Sequence, residues 1–222
     1  MRLLARGMKN LGSNRPLVVS FEVTHSCTCD CHHCDKGGRI ENEVLLPPKE
    51  YGRFAQELNP AVVQISGGEP LLRDDATEIV RAIREGNSLS YIILVTNASL
   101  LNEERYVELK KAGVDQFSIS LDFPDKRHDR FRRMPGLYCH LGELVPHLAR
   151  SFGYGDIILN CAITRENLPY LMAIAQRAHE WGVLISYSAY SPLRTNDLSY
   201  LISSTHDLKL LSRTIEALMR LS

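Results

Sequence analysis

The stretch Leu17-Val-Val-Ser-Phe-Glu-Val-Thr-His-Ser-Cys-Thr-Cys-Asp-Cys-His-His-Cys-Asp35 joins a strand signal to a ligand signal, and together they decide the architecture. Its first eight residues alternate, with Val19, Phe21 and Val23 opposite Ser20, Glu22 and Thr24, as a strand with one apolar face requires. Directly after it come Cys27, Cys31 and Cys34 in a C-x3-C-x2-C spacing. Six cysteines scattered over 222 residues would give about 0.004 such triads, so chance does not explain this one. Three thiols on a loop after a strand call for a metal or a redox role.

The spacing suits an iron–sulfur cluster. A structural zinc site usually takes its four ligands as two separated pairs, whereas this loop holds one tight group and Cys139 and Cys161 lie far downstream. Disulfides are disfavoured because the triad members are too close to pair without strain and the opening residues do not read as a signal peptide. Reduced cytosol is the expected compartment. His25, His32 and His33 keep zinc open by offering imidazole to complete a shell. Cys29 is separated by a single residue from both Cys27 and Cys31, which makes shared ligation of one ion awkward, so it reads as a spacer.

Outward from this loop, the chain reads as one α/β domain. Hydrophobic residues make up 44% and charged residues 23%, enough for a real core. The 26 basic and 26 acidic residues cancel, which removes the charge argument for nucleic acid or an anionic membrane, and no apolar run approaches the ~20 residues of a membrane helix. Residues 1–16 form an N-terminal segment with Arg2, Arg6, Lys9 and Arg15 but no acid, expected to dock or fray; residues 17–222 form the core. Apolar β-branched runs predict strands near 17–24, 62–66, 91–96, 116–122, 157–164 and 183–188. Helical periodicity predicts helices near 48–58, 74–85, 102–112, 140–151, 167–181 and 206–221. Six β-α units imply parallel strands with right-handed crossovers. A closed barrel needs eight, so the expectation is an open partial (β/α)6 barrel.

Strand alternation separates two faces. In Gln116-Phe-Ser-Ile-Ser-Leu-Asp122, Phe117, Ile119 and Leu121 oppose Ser118, Ser120 and Asp122. In the fifth strand, Asn160 and Thr164 oppose Leu159, Cys161 and Ile163. Parallel strands buried on both faces read as continuous apolar runs, so the polar positions predict either a wet lumen or polar groups bonded to one another. Cys161 falls on the apolar face as a core residue. After the second strand come Gly67, Gly68, Glu69 and Pro70, at the end of a parallel strand where open α/β sheets bind ligands. Paired glycines admit a ligand to the backbone and Glu69 can hold a cation.

These motifs, in this order, resemble the radical S-adenosylmethionine (radical SAM) superfamily from Leu17 to about Ser191. The likeness rests on Cys27-x3-Cys31-x2-Cys34, Gly67-Gly-Glu-Pro70, Val95-Thr-Asn97 and Ser118-Ile-Ser-Leu-Asp122. His128-Asp-Arg-Phe-Arg-Arg-Met-Pro-Gly136, Asn160 and Thr164-Arg-Glu-Asn167 are similar to the branch holding molybdenum-cofactor GTP cyclases and peptide-modifying maturases. The resemblance implies an enzyme in which Cys27, Cys31 and Cys34 bind three irons of a [4Fe-4S] cluster and S-adenosylmethionine takes the fourth. It places the methionine ammonium on Glu69 with the Gly67, Gly68 and Pro70 turn. Ser120 and Asp122 would meet the ribose or methionine end, Asn160 the carboxylate or ribose, and His33 the adenine, where the family usually has an aromatic residue. Ala98 stands where the family often has glycine, a small change unless the backbone needs positive φ. Cys29 replaces a commonly apolar residue.

One-electron cleavage would then give a 5′-deoxyadenosyl radical that takes hydrogen from a peptide or small-molecule substrate. A low-potential donor such as ferredoxin or flavodoxin is implied as partner. Glu22 is a weak candidate acid or base. Lys126, Arg127, Arg130, Arg132 and Arg133 read as a basic loop for a phosphate or carboxylate, or as a solvated loop balanced by Asp125 and Asp129. Tyr187, Tyr190 and the 192–196 loop are expected at a substrate mouth. The run Glu216–Ser222 lacks a helix stop signal, which reads as a core continuing into a further C-terminal part. Two readings compete with turnover: a zinc-stabilised α/β binding module, and an iron–sulfur sensor or scaffold.

Overall fold

In the computed structural model, residues 2–153, 155–193 and 195–220 are described. Arg194 of the expected mouth loop, and Met1, Leu221 and Ser222 at the ends of the expected spans, lie outside them. The sheet is open and six-stranded, with its parallel strands side by side in chain order. Neighbouring strands pair Val19 with Val63, Val63 with Ile92 and Leu159 with Ile185. The open α/β fold is the one that the β-α series predicts.

The chain forms two compact units, one taking the chain up to Thr28 plus Lys36–Ser118, the other Cys29–Asp35 and the chain from Ile119 onward. The first unit begins with α1 (Arg2–Gly12) and β1 (Val18–Glu22), followed by α2 (Pro48–Leu58) and β2 (Val62–Ser66). It continues through α3 (Ala76–Gly86), β3 (Tyr91–Thr96) and α4 (Glu103–Ala112) to the start of β4 (Gln116–Ser120). Local chemistry sets the ends. Pro48 opens α2 with a preset φ. The Asn102 side chain accepts from Arg105 N at 2.8 Å to cap α4, and Gly113 at φ 125° ends it. Val63, Ile65, Ile79, Ile83, Ile92 and Leu94 make the core, each at most 2% exposed. Truncating one such residue to alanine costs about 2–5 kcal/mol.

The N-terminal segment is docked rather than frayed. It is helical, and its polar side chains tie it down: Arg6 donates to the Asn59 and Asn87 side chains, and Asn10 donates to the carbonyls of Pro16 and Asn59 at 2.9 Å. Asn59 and Asn87 lie about fifty residues or more along the chain, beyond the reach of local periodicity.

The second unit holds α5 (Arg127–Arg132), α6 (Leu137–Phe152), β5 (Ile157–Ile163), α7 (Leu171–Glu180), β6 (Leu184–Ala189) and α8 (Thr205–Met219). Leu121, Leu141, Val145, Leu148, Leu159 and Cys161 are fully buried in it. Cys161 is therefore the core residue expected, and burial pushes its thiol pKa up. The basic run that reads as a loop is instead α5. Among the polar strand positions, Ser20 and Ser66 hydroxyls lie 3.1 Å apart and Ser188 donates to Asn160 Oδ1 at 3.2 Å, the mutual pairing that competes with a wet face. Among the described residues no helix is long and apolar enough to cross a membrane.

Candidate cofactor site

The first unit carries Cys27 and the glycine turn. After β1 the chain stays extended, and its carbonyls meet the strip that leaves β2: Gly68 N donates to Thr24 O and Glu69 N to Ser26 O, both at 2.8 Å. A Cβ on Gly67 would sit 2.2 Å from Thr24 O, and one on Gly68 2.0 Å from Ser26 O. The glycines thus serve a backbone-to-backbone approach within the protein, to Thr24 and Ser26.

That approach delivers Glu69 into a buried place. Its side chain is 0% exposed. Oε1 accepts from Leu71 N at 3.1 Å and Thr96 Oγ1 at 2.6 Å, and Oε2 accepts from Asn97 N at 2.8 Å. Among the described residues no cationic side chain pairs with it. Burial raises its pKa from 4.5 to about 7, against the pull of those three hydrogen bonds and with a smaller push from Cys27. Pro70, also buried, opens the 3-10 turn Pro70–Leu72 that places the Leu71 donor.

Asn97 links this carboxylate to the cysteine loop, because its Nδ2 donates to Thr28 Oγ1 at 2.9 Å and to Cys27 Sγ at 3.7 Å. Ala98, next to it, has φ 61°, so the position where glycine is common does require the left-handed region. Glu22 stands 3.7 Å from both Lys36 Nζ and His25 Nε2, an ion-pair arrangement that accounts for it without acid–base duty.

The second unit carries Cys31, His33 and Cys34. Their loop pairs with the end of α5: Asp30 N donates to Arg132 O at 3.3 Å and His32 N to Phe131 O at 3.1 Å. His33 stacks on Phe131 with ring centroids 4.6 Å apart and 10° between planes. Its Nδ1 is buried without a hydrogen-bond partner, and burial lowers its pKa to about 4, so the ring is neutral. Cys27 and Cys31 are 7% exposed, Cys34 is exposed, and Cys29 at 1% packs its sulfur 3.5 Å from Met134 Sδ. The division between units falls inside the triad, and among the described residues no three His, Cys, Asp or Glu side chains gather into a ready metal-holding group.

Asp122 is placed differently from the expectation. It is 0% exposed, Oδ2 accepts from Arg132 at 2.7–2.8 Å and Oδ1 accepts from Ala162 N at 3.1 Å, so both oxygens are committed to the protein. Burial alone would raise its pKa; the Arg132 charge and hydrogen bond, together with the other groups around it, outweigh this and the net shift is downward. His128 Nδ1 accepts from Asp122 N at 3.1 Å, and burial holds that imidazole neutral with its pKa near 3. Ser120 is buried at the end of β4, and Asn160 is half-buried on β5. Three arginines of the basic run are likewise committed: Arg132 to Asp122, Arg133 to Asp30 at 2.6 Å, and Arg127 to Asp125 at 2.6 Å while lying 3.7 Å over the Tyr170 ring. Tyr187 donates to Leu171 O at 2.6 Å, and the Tyr190 hydroxyl lies 2.6 Å from Thr195 Oγ1, so neither hydroxyl is held out for a substrate.

Residues 21–139, more than half of the chain, match the model of the radical SAM superfamily. The chain belongs to the radical SAM superfamily. Within it, the chain is 30% identical over 193 residues to a probable GTP 3′,8-cyclase of Methanococcus aeolicus, covering 84% of this chain and 63% of that protein. It is 29% identical over 211 residues to the PqqA peptide cyclase of Gluconobacter oxydans, covering 91% of this chain and 58% of the relative. Among solved structures, Streptococcus suis SuiB bound to the precursor peptide SuiA superposes with a TM-score of 0.73 at 18% identity, over 96% of this chain and 49% of SuiB, a likeness of fold. The chain thus spans roughly half to two thirds of the length of these radical SAM relatives.

Proposed function

We propose that this chain is the radical-generating core of a radical SAM enzyme, with Cys27, Cys31 and Cys34 holding a [4Fe-4S] cluster and Glu69 receiving the ammonium of S-adenosylmethionine. The observation that carries this reading is Glu69, a fully buried carboxylate given three hydrogen-bond donors and, among the described residues, no cation. An ammonium supplied from outside satisfies it, since buried charges in proteins are paired. The donor set fits as well: three thiols lie within eight residues, and Asn97 Nδ2 donates to one of the sulfurs. Bound there, the cluster and S-adenosylmethionine supply one-electron reductive cleavage to methionine and a 5′-deoxyadenosyl radical that takes a hydrogen atom from substrate.

The protein's own part is placement. Asn97 orients Cys27 while its N–H holds Glu69 Oε2; Leu71 N, placed by the turn that Pro70 opens, and Thr96 Oγ1 hold Oε1. The Phe131-backed imidazole of His33, neutral and half-buried, offers a flat face for the adenine. Ser120 and Asn160 remain for the ribose and carboxylate. Asp122 is assigned instead to positioning, through Arg132. The substrate is a peptide or small molecule, the classes named by the PqqA and GTP cyclases, and the electron comes from a ferredoxin or flavodoxin.

Anaerobic reconstitution with iron and sulfide, followed by reduction with S-adenosylmethionine present, tests the reading. A brown protein that forms 5′-deoxyadenosine supports it, and Cys31→Ala should remove both colour and product while Cys29→Ala spares them. One zinc per chain, or a cluster that never yields 5′-deoxyadenosine, sinks it.

A further inference from the structure

Between the cysteines and α2 runs a segment, residues 36–47, without helix or strand, yet it returns one carboxylate to the Cys27 turn. Glu43 Oε1 accepts from His25 N at 2.5 Å, and Oε2 accepts from Thr24 Oγ1 at 2.7 Å and Ser26 Oγ at 2.8 Å. The same turn spends its other groups on the glycine strip: Thr24 O receives Gly68 N and Ser26 O receives Glu69 N. Thr24 through Ser26 are thus held from one side by Glu43 and hold Glu69 on the other, with Cys27 next in the chain. Within the turn Ser26 N donates to Thr24 Oγ1 at 3.1 Å, and the charge-assisted bonds to the Glu43 carboxylate are the stronger kind. Glu43 also lines a cavity of about 750 Å³ with Arg39 and Arg73. Its pKa is lowered, burial being outweighed by the His25, Thr24 and Ser26 hydrogen bonds.

We propose that Glu43 is a positioning residue for the Cys27 thiol and the Gly67–Glu69 strip, clamping Thr24–Ser26 in the conformation that serves a bound cofactor. The proposal rests on the reading of that turn as the cluster and S-adenosylmethionine site. The competing role is simpler: Glu43 anchors only its own segment, and the turn keeps its shape through its bonds to residues 66–69.

Thiol alkylation of the reduced, metal-free protein separates the two, with Cys161 as a buried internal reference. In Glu43→Ala the Cys27 rate should rise about tenfold, with Glu43→Gln between that and wild type and Cys161 unchanged. In reconstituted, reduced protein, the S-adenosylmethionine concentration that half-completes the change in the cluster's EPR spectrum should rise by about the same factor. Wild-type Cys27 alkylation and a wild-type titration in Glu43→Ala, with protease sensitivity appearing only in residues 36–47, would overturn the clamp. If Glu43→Ala unfolds, Cys161 reacts too and Glu43→Gln decides by the same criteria. A wild-type protein that takes no cluster defeats the cofactor reading, while the alkylation rates still decide the role of Glu43.

Discussion

Glu69 in the first unit and Asp122 in the second are both fully buried carboxylates at strand ends, and their environments drive them in opposite directions. Asp122 has a guanidinium at 2.7 Å from its own unit, and its pKa falls. Glu69 has three neutral donors and, among the described residues, no cation, and its pKa climbs to about 7. Equal burial does not give equal chemistry; the partner decides. A carboxylate already paired is part of the scaffold, whereas one with donors but no counter-charge is prepared for a cation that arrives with a ligand.

The sharpest way to break this contrast is to neutralise each in turn. Asp122→Asn strands Arg132 as a buried unpaired cation and should cost about 3–5 kcal/mol of stability in the metal-free protein. Glu69→Gln removes a buried charge that has no ion-pair partner, and at pH 8 it should stay within about 1 kcal/mol of wild type, the lost hydrogen bond offsetting the relief. Denaturant unfolding of both variants reads the difference. Equal losses would mean that Glu69 is as structural as Asp122.

Acid and base then act on the two with opposite signs. Glu69 is protonated in the folded protein below about pH 7 but titrates near 4.5 when unfolded, so its contribution is fully present below pH 4.5 and lost as pH rises to about 7. Wild-type stability relative to Glu69→Gln should fall by about 1 kcal/mol per pH unit between pH 5 and 7. Asp122, depressed, contributes above its ordinary 3.8 and loses that contribution only as pH falls below it. A flat difference between pH 5 and 7 would place a cation beside Glu69 in the free protein.

Much of the contrast could be read from residues, and the part that could not has a physical cause. Cys27, Cys31 and Cys34 and the Gly67–Pro70 turn are visible because a period-2 run ends in residues with few other uses there. Alternation correctly sets Asp122 off the Phe117, Ile119 and Leu121 face. It carries no information about Arg132, ten residues on, because a short basic run reads as a loop until α5 turns the guanidinium inward. Gly67 and Gly68 were legible as a close approach but not as an approach to Thr24 and Ser26, which only the pairing of β1 with β2 supplies. Glu43 sits in a segment without periodicity, so nothing local marks it, and the Arg6 and Asn10 contacts that dock α1 span about fifty residues or more.

Ligand binding sharpens the comparison further. An ammonium placed on Glu69 favours the ionised carboxylate, so S-adenosylmethionine binding below pH 7 should release a proton, and affinity should rise with pH up to about 7 and then level. Calorimetry of the reconstituted protein in buffers of different ionisation enthalpy counts that proton. Glu69→Gln should weaken binding by roughly 10- to 100-fold and abolish the release, given about 1.5–3 kcal/mol for a hydrogen bond to a charged group. Proton release that persists in Glu69→Gln would transfer the ammonium to another acceptor.

The smallest effect concerns the residues that flank each carboxylate's partner. Ala98 at φ 61° follows Asn97, whose N–H faces Glu69, and Arg133 at φ 50° follows Arg132, which faces Asp122. A left-handed alanine costs roughly 1–2 kcal/mol, and glycine returns part of that through its larger unfolded-state entropy. Ala98→Gly should therefore raise stability by about 0.5–1 kcal/mol with cofactor affinity unchanged, since the Asn97 hydrogen bonds stay in place. Arg133→Gly gains similar relief but gives up an exposed ion pair with Asp30, worth about 0–1 kcal/mol, and should come out near zero. A destabilised Ala98→Gly protein would show that the Ala98 methyl, 0% exposed, packs well enough to outweigh the strain, placing the rigidity around Glu69 in side-chain contacts rather than in the backbone turn.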